Sequence, residues 1–242
     1  MTAPVVANPL DLAVAVDGLP SGTRAWTTTR SAGSFGLGSD EPVGITMDRW
    51  GGLLSALATL GISRLATATQ VHGAAVSRHD GEWRGWLRQR GVDGHVTTTG
   101  ATALAVTVAD CTPVFIAHPA GAIAALHAGW RGTAARIVDV GLDMMDVLGF
   151  ATSECTVHLG PAICGECYEV GPEVLSAVFD RSVSTKAFLD VRSVLALQAE
   201  RRKVRELTVS TWCTRCHNER FFSHRAGDSG RQLGLIVFGA NE

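Results

Sequence analysis

The chain has 242 residues, 46% of them hydrophobic and 18% charged, with a net charge of −2. That balance describes an ordinary compact protein and excludes a broadly basic surface for nucleic acid or anionic membrane. No apolar run reaches the roughly 18–20 residues of a membrane span, and the N-terminus lacks a signal-peptide pattern, so the expected location is cytoplasmic.

Residues 1–20 read as an irregular arm or a single early strand. Trp26–Arg30, rich in threonine, reads as a strand leading into a glycine-bearing loop at 31–39. Apolar residues at helical spacing over Asp48–Leu60, stopped by Gly61, predict a helix. Leu65–Val71 reads as a strand that delivers His72 at its end. Two buried-type strands follow, Ala103–Val108 and Val114–His118, joined by the Asp110–Pro113 corner. The short run Ala122–Leu126 precedes a turn at His127–Gly132, and Thr133–Val147 has the length and period of a helix with Thr133 as N-cap. Further strands are predicted at Cys155–Leu159, Leu207–Val209 and Leu233–Phe238, and helices at Pro172–Asp180 and Val191–Glu206. The basic run Arg201-Arg202-Lys203, with Arg205, reads as a solvated helix face. No repeat or linker divides the chain, which predicts one α/β or α+β domain over residues 1–242 with a mixed sheet or two packed sheets.

Three segments each hold one metal-ligand type in a tight context: Gln70-Val71-His72-Gly73, Ala109-Asp110-Cys111-Thr112-Pro113 and His127-Ala128-Gly129-Trp130-Arg131-Gly132. Each lies just past a strand run, where side chains from different strands converge at a sheet edge. Two imidazoles and one thiolate are three ligands, the number a catalytic zinc site uses when it keeps a position open. The same donors also suit copper. Taken singly, each histidine is as readily a hydrogen-bonded core residue and Cys111 a small buried hydrophobe. The helix beginning near Thr133 would offer its N-terminal N–H groups to an anion such as phosphate.

The segments Gln70–Gly73, Thr107–Val114, Leu126–Gly132, Gly160–Gly171 and Phe221–Gln232 resemble, in order, those of the YfiH/YlmD family, also called the laccase-domain or polyphenol oxidase family. The resemblance implies an α/β/β/α layered fold and a zinc held by His72, Cys111 and His127. It also implies phosphorolysis of adenosine, inosine, guanosine and methylthioadenosine, and deamination of adenosine. One bacterial branch is linked to editing of peptidoglycan precursors. The chain departs from the family pattern in a shortened loop after Thr28-Thr29-Arg30, and in Arg225-Ala226 where the family has two arginines. Both departures bear on substrate preference.

For this chemistry a zinc ion would lower the pKa of its bound water, and a carboxylate would carry protons. Asp110 and Glu169 are the candidates, each equally readable as a partner that orients a ligating histidine. Arg30, Arg131, Arg225 and Arg231, with Gln70, are candidate phosphate and substrate contacts, at least one arginine being expected only in a salt bridge. Three further readings compete. A copper-dependent phenol oxidase needs many clustered histidines, and the eight here are dispersed. A Cys–His amide hydrolase would use Cys111 as nucleophile and His127 as base, without metal. A metal-stabilised binding protein would fill all four zinc positions. Purine nucleosides and phosphate are the expected partners of a monomer or homodimer.

Two Cys-x-x-Cys pairs remain, Cys164–Cys167 and Cys213–Cys216. The second, followed by His217, matches a haem-attachment pattern, which an unexported protein would not use. Together the pairs have the ligand count of a structural zinc site but a separation beyond the usual knuckle spacing, so they read as free or loosely paired thiols.

Overall fold

The computed structural model describes residues 8–239, so part of the expected N-terminal arm lies outside the described residues. The strands are β1 (Ala13–Ala15), β2 (Thr23–Thr28), β3 (Arg64–Thr69), β4 (Val76–Arg78), β5 (Gly85–Arg90), β6 (Gly94–Thr97), β7 (Thr102–Val108), β8 (Thr112–His118), β9 (Ala122–Ala128), β10 (Thr156–Leu159), β11 (Glu169–Val170), β12 (Ala187–Phe188), β13 (Glu206–Val209) and β14 (Gln232–Phe238). The helices are α1 (Val43–Thr59), α2 (Trp130–Ala134), α3 (Ile137–Val147), α4 (Pro172–Phe179) and α5 (Val191–Arg201). One six-stranded sheet has the order β1-β2-β14-β7-β3-β5 and the other β13-β10-β8-β9-β6-β4; β11 and β12 form a small ribbon. Each large sheet mixes parallel and antiparallel pairs. Among the described residues no helix is long and apolar enough to cross a membrane.

The central strands are apolar on both faces because both faces are covered. Along β7, Ala103 and Ala105 pack outward against Trp50, Leu53 and Leu57 of α1. Leu104, Val106 and Val108 point inward, against Phe115 and Ala117 of β8 and Ile123 and Ala125 of β9. The other face of the second sheet, with Ile116, Ala124 and Leu126, receives Ile137, Leu142 and Met145 of α3 and Leu195 and Ala199 of α5. The result is helix, sheet, sheet, helix, in four layers. Each large side chain so buried contributes about 1.5–3 kcal/mol.

Several boundaries differ from the sequence expectation. The helix expected over Thr133–Val147 is two helices, because Arg136 takes a left-handed conformation with φ 59°. Gln198 of α5 donates to the buried Thr133 carbonyl at 2.9 Å, capturing an acceptor near the break. Thr133 is not an N-cap: the first helix starts at Trp130 behind Gly129, and the Thr133 hydroxyl donates back to the Gly129 carbonyl at 2.9 Å. The helix expected to reach Glu206 ends at Arg201, since Glu206 begins a strand paired with β10. Strands β4, β5 and β6 carry weak alternation, β4 and β6 being also short, and pairing with their neighbours makes them strands.

The two sheets approach closely at Gly234 of β14, where an added Cβ would lie 2.6 Å from Pro113 Cβ and 3.2 Å from the Phe115 ring. Gly234→Ala is therefore expected to destabilise the fold by about 1–3 kcal/mol through overpacking. Urea denaturation checks this, and an unchanged midpoint would contradict the tight inter-sheet contact.

Candidate metal centre

The layered fold sets the trio on the connections that pass between the sheets. His72 lies on the β3–β4 connection and Cys111 on the β7–β8 connection, each crossing from the first sheet to the second. His127 is near the end of β9, where alternation after Ile123 and Ala125 turns it toward the first sheet. The ligand atoms of His72, Cys111 and His127 all lie within 4.8 Å of one another. The two imidazole rings meet edge to face, with centroids 4.8 Å apart. A Cβ on Gly129 would sit 2.7 Å from Cys111 Sγ and 3.8 Å from His72 Cδ2, so only glycine leaves this space clear.

Behind the trio stands Asp93, fully buried, a residue not assigned from sequence. Its carboxylate accepts from the backbone N–H groups of His72 at 2.8 Å and Gly73 at 2.7 Å, with a longer bond from Val71 at 3.2 Å. It also meets His127 Nδ1 at 3.0 Å. Three successive N–H groups converging on one carboxylate form an anion nest, and His72 takes the left-handed backbone, φ 62°, that such a turn uses. The Asp93 contact places the proton of His127 on Nδ1 and leaves Nε2 to face the trio. Burial alone would raise the Asp93 pKa, but the bonds from His127, Gly73 and His72 hold it below the usual value. The sequence signal was faint: one aspartate between Val92 and Gly94, just before a strand.

Without metal the trio is an ion pair. Burial would push the Cys111 thiol up, yet His127 and His72 overcome it and bring it down to about 6. Burial likewise disfavours a charged His127, and the Cys111 thiolate and Asp93 outweigh it, raising it to about 9. A thiolate beside two imidazoles, one anchored by a carboxylate, is a donor set that fits zinc or copper.

Two clefts flank the trio and share His72, Ala109, Cys111 and His224. One, about 330 Å³, is walled by Trp130, Ile163, Tyr168 and Val191, with Asp110, Arg131 and Arg225. The other, about 450 Å³, is lined by the Gly36–Ser39 loop, Gln70, Arg88, Ser229 and Arg231. Both fall within the size range of small-molecule sites.

The remaining sequence candidates divide. Asp110, at φ 79°, lines the first cleft and accepts from Thr214 Oγ1 at 2.6 Å and Arg225 N at 2.7 Å. Glu169 points elsewhere: its carboxylate pairs with Lys186 at 3.1 Å, and it is the preceding residue, Tyr168, that reaches the cleft. Arg30 lines neither cleft; it is locked by Asp228 at 2.6 Å and the Asn218 carbonyl at 2.8 Å, over the Phe222 ring. Gln70 reaches the second cleft but exchanges hydrogen bonds with Thr107 at 2.8–2.9 Å, tying β3 to β7. Arg131 lies over the Trp130 ring and Arg225 over the Tyr168 ring. Arg231 donates to the Gly230 carbonyl at 2.7 Å at the edge of the second cleft. Tyr168, Arg88 and His224 were not assigned from sequence; only the fold brings them to the trio.

A family model described as multi-copper polyphenol oxidoreductase laccase matches residues 45–239. The chain belongs to this family. A purine nucleoside phosphorylase of Streptomyces coelicolor is 35% identical over 213 residues, covering 83% of this chain and 85% of its own. A protein named adenosine deaminase RL5, from an unknown prokaryotic organism, is 34% identical over 149 residues, 56% of this chain and 57% of its own. The crystal structure of YlmD from Geobacillus stearothermophilus matches with a TM-score of 0.82 at 29% identity, covering 90% of this chain and 92% of that one. These matches bear out the family resemblance and the mixed α/β fold with two large sheets, and the relatives carry the names of enzymes.

Two outcomes are expected of the trio. In metal-free protein, alkylation of Cys111 rises with pH through about 6, where an ordinary thiol would still be protonated. Asp93→Asn removes the carboxylate that orients His127, so metal affinity falls roughly 10–100-fold. A chelator-competition titration reads the affinity; an unchanged affinity would contradict the role assigned to Asp93.

Proposed function

We propose that this chain is a zinc-dependent purine nucleoside enzyme, carrying out phosphorolysis of adenosine, inosine, guanosine or methylthioadenosine and deamination of adenosine. The observation that carries the reading is the three-ligand group of His72, Cys111 and His127 set between two clefts, with Asp93 orienting two of its members. Three protein ligands match an open catalytic zinc site, and the metal would supply Lewis-acid polarisation to a substrate oxygen.

The clefts suit two reactants. The purine and ribose take the first, where Trp130, Ile163, Tyr168 and Val191 offer apolar and aromatic surface. Phosphate takes the second, more polar cleft, where Arg88 and Arg231 add positive charge beside the glycine-bearing loop. Burial, then the nearby Cys111 thiolate, raise the Tyr168 pKa, which keeps its phenol protonated as a hydrogen-bond donor to the nucleoside. Arg131 and Arg225 border the same cleft and reach polar groups of the bound nucleoside. Asp110 is the proton carrier in preference to Glu169, because Asp110 lines the cleft beside Cys111 while the Glu169 carboxylate pairs with Lys186.

The copper reading has less to draw on. A multicopper oxidase requires several clustered histidines. Among the described residues the groups of three or more potential ligands are this trio and a cluster of four cysteines. The lowered Cys111 and raised His127 favour, as a second reading, a metal-free Cys–His nucleophile of the kind that cleaves amides.

One set of measurements separates these readings: metal content, with a nucleoside panel assayed with and without phosphate. Cys111→Ala is expected to lose the zinc of the trio and to lower phosphate-dependent base release by more than the roughly 10–100-fold typical of an outer partner. Arg88→Ala raises KM for phosphate, and Tyr168→Phe raises KM for the nucleoside. Full activity in Cys111→Ala or in thoroughly stripped protein would refute the zinc enzyme, and activity that needs Cys111 but no metal would favour the nucleophile.

A further inference from the structure

A second group of metal-binding side chains lies outside the site just described. The sulfur atoms of Cys164, Cys167, Cys213 and Cys216 all fall within 4.8 Å of one another, and none is in a disulfide. Cys167 and Cys216 Sγ are 3.4 Å apart, and Cys164 and Cys216 Sγ are 4.0 Å apart. Zinc held tetrahedrally by thiolates at ~2.3 Å places sulfurs ~3.8 Å from each other, so these two separations bracket that value and all four sulfurs are close enough to share one ion.

Topology explains how pairs so far apart in sequence meet. Strands β10 and β13 are parallel neighbours with Leu159 opposite Val209, so the chain leaves both at the same sheet edge. A bridge pairs Ala162 with Cys213, and the Thr214 N–H donates to the Ala162 carbonyl at 3.1 Å. Each Cys-x-x-Cys then closes a tight turn facing the other. Cys213 Sγ accepts backbone N–H groups from Cys164 at 3.3 Å and Cys216 at 3.4 Å, an arrangement that favours sulfur as an anionic ligand. His217 is not part of the group; it pairs with Glu219 and packs on Trp212, which also disposes of the haem pattern.

We propose that Cys164, Cys167, Cys213 and Cys216 hold a second zinc ion, in a closed structural site. Four protein ligands leave no position for substrate, in contrast with the trio. The site positions a wall of the first cleft. Ile163 donates its N–H to the Asp110 carbonyl at 3.1 Å and Thr214 bonds the Asp110 carboxylate, while Tyr168 directly follows Cys167. Arg215 spans the two turns by donating to the Cys167 carbonyl at 3.1 Å. A metal here fixes Asp110 and Tyr168 from outside, whatever reaction the cleft supports.

The test is the zinc-to-protein ratio of untagged protein purified without added metal, with thiol titration and non-reducing mass spectrometry. The expected ratio is two for the native chain, one for Cys111→Ala, and one for the double variant Cys167→Ser/Cys216→Ser. Zinc that survives Cys111→Ala but disappears in the double variant upholds this site even if the trio proves metal-free. A native ratio of one that falls to zero in Cys111→Ala overturns it, as does a disulfide among the four cysteines. Should the double variant fail to fold, cobalt-exchanged Cys111→Ala decides: intense tetrahedral thiolate-to-cobalt absorption supports the site, and its absence overturns it.

Discussion

The Asp93 carboxylate is fully buried and gathers the His72, Gly73 and Val71 N–H groups together with the His127 ring. A buried carboxylate with fewer donors would be costly, and this one is satisfied only if the β3–β4 connection and the end of β9 are both in their final places. The geometry of two candidate ligands from different parts of the chain is thus fixed by one charge. His72 is exposed and has little packing to hold it, so its left-handed turn depends on this bond set. The third candidate ligand, Cys111, is placed by the β7–β8 corner and by the space that Gly129 leaves open.

This arrangement also accounts for why the candidate site lies where it does. Apolar residues seal the space between the sheets along their centres, leaving little room for a polar cavity. The connections that carry the chain from one sheet to the other are the places where backbone polar groups and ionisable side chains accumulate without breaking that core. His72 and Cys111 lie on two such connections, and the helix that starts at Trp130 closes over them. One cleft opens toward the four-cysteine turns and the other toward the glycine-bearing loop, so the two flanks have different chemistry.

Much of this was legible in the sequence for a physical reason. The trio sits at ends of strongly apolar strands, and apolar strands are the easiest elements to read. Double-faced apolar runs such as Ala103–Val108 pointed to a mixed sheet or two packed sheets, while the four layers were implied only by the family resemblance. What escaped depended on contacts between distant segments. Asp93 looks like a turn residue until His72 and His127 are placed around it. The break at Arg136 interrupts no periodicity, because Ile137 and Val138 still face the core. Tyr168 ends a turn and Glu169 begins a two-residue strand, so which of them faces the cleft depends on a local phase that so short an element cannot declare. Arg30 is locked by the Asn218 carbonyl and Asp228, 188 and 198 positions away in sequence, and no local pattern separates it from Arg131, which borders a cleft. The parallel pairing of β10 with β13, which unites the cysteine pairs, leaves no mark at short range.

The proposed function rests on His72, Cys111 and His127 holding a metal with an open position, organised from behind by Asp93. The decisive measurement is a crystal structure of protein purified without added metal, with anomalous data on both sides of the zinc absorption edge. The expected result is an edge-dependent peak within bonding distance of Cys111 Sγ, His127 Nε2 and a His72 ring nitrogen, with a non-protein fourth ligand facing the clefts. No metal peak at the trio, or a peak whose four ligands all come from the protein, would contradict it.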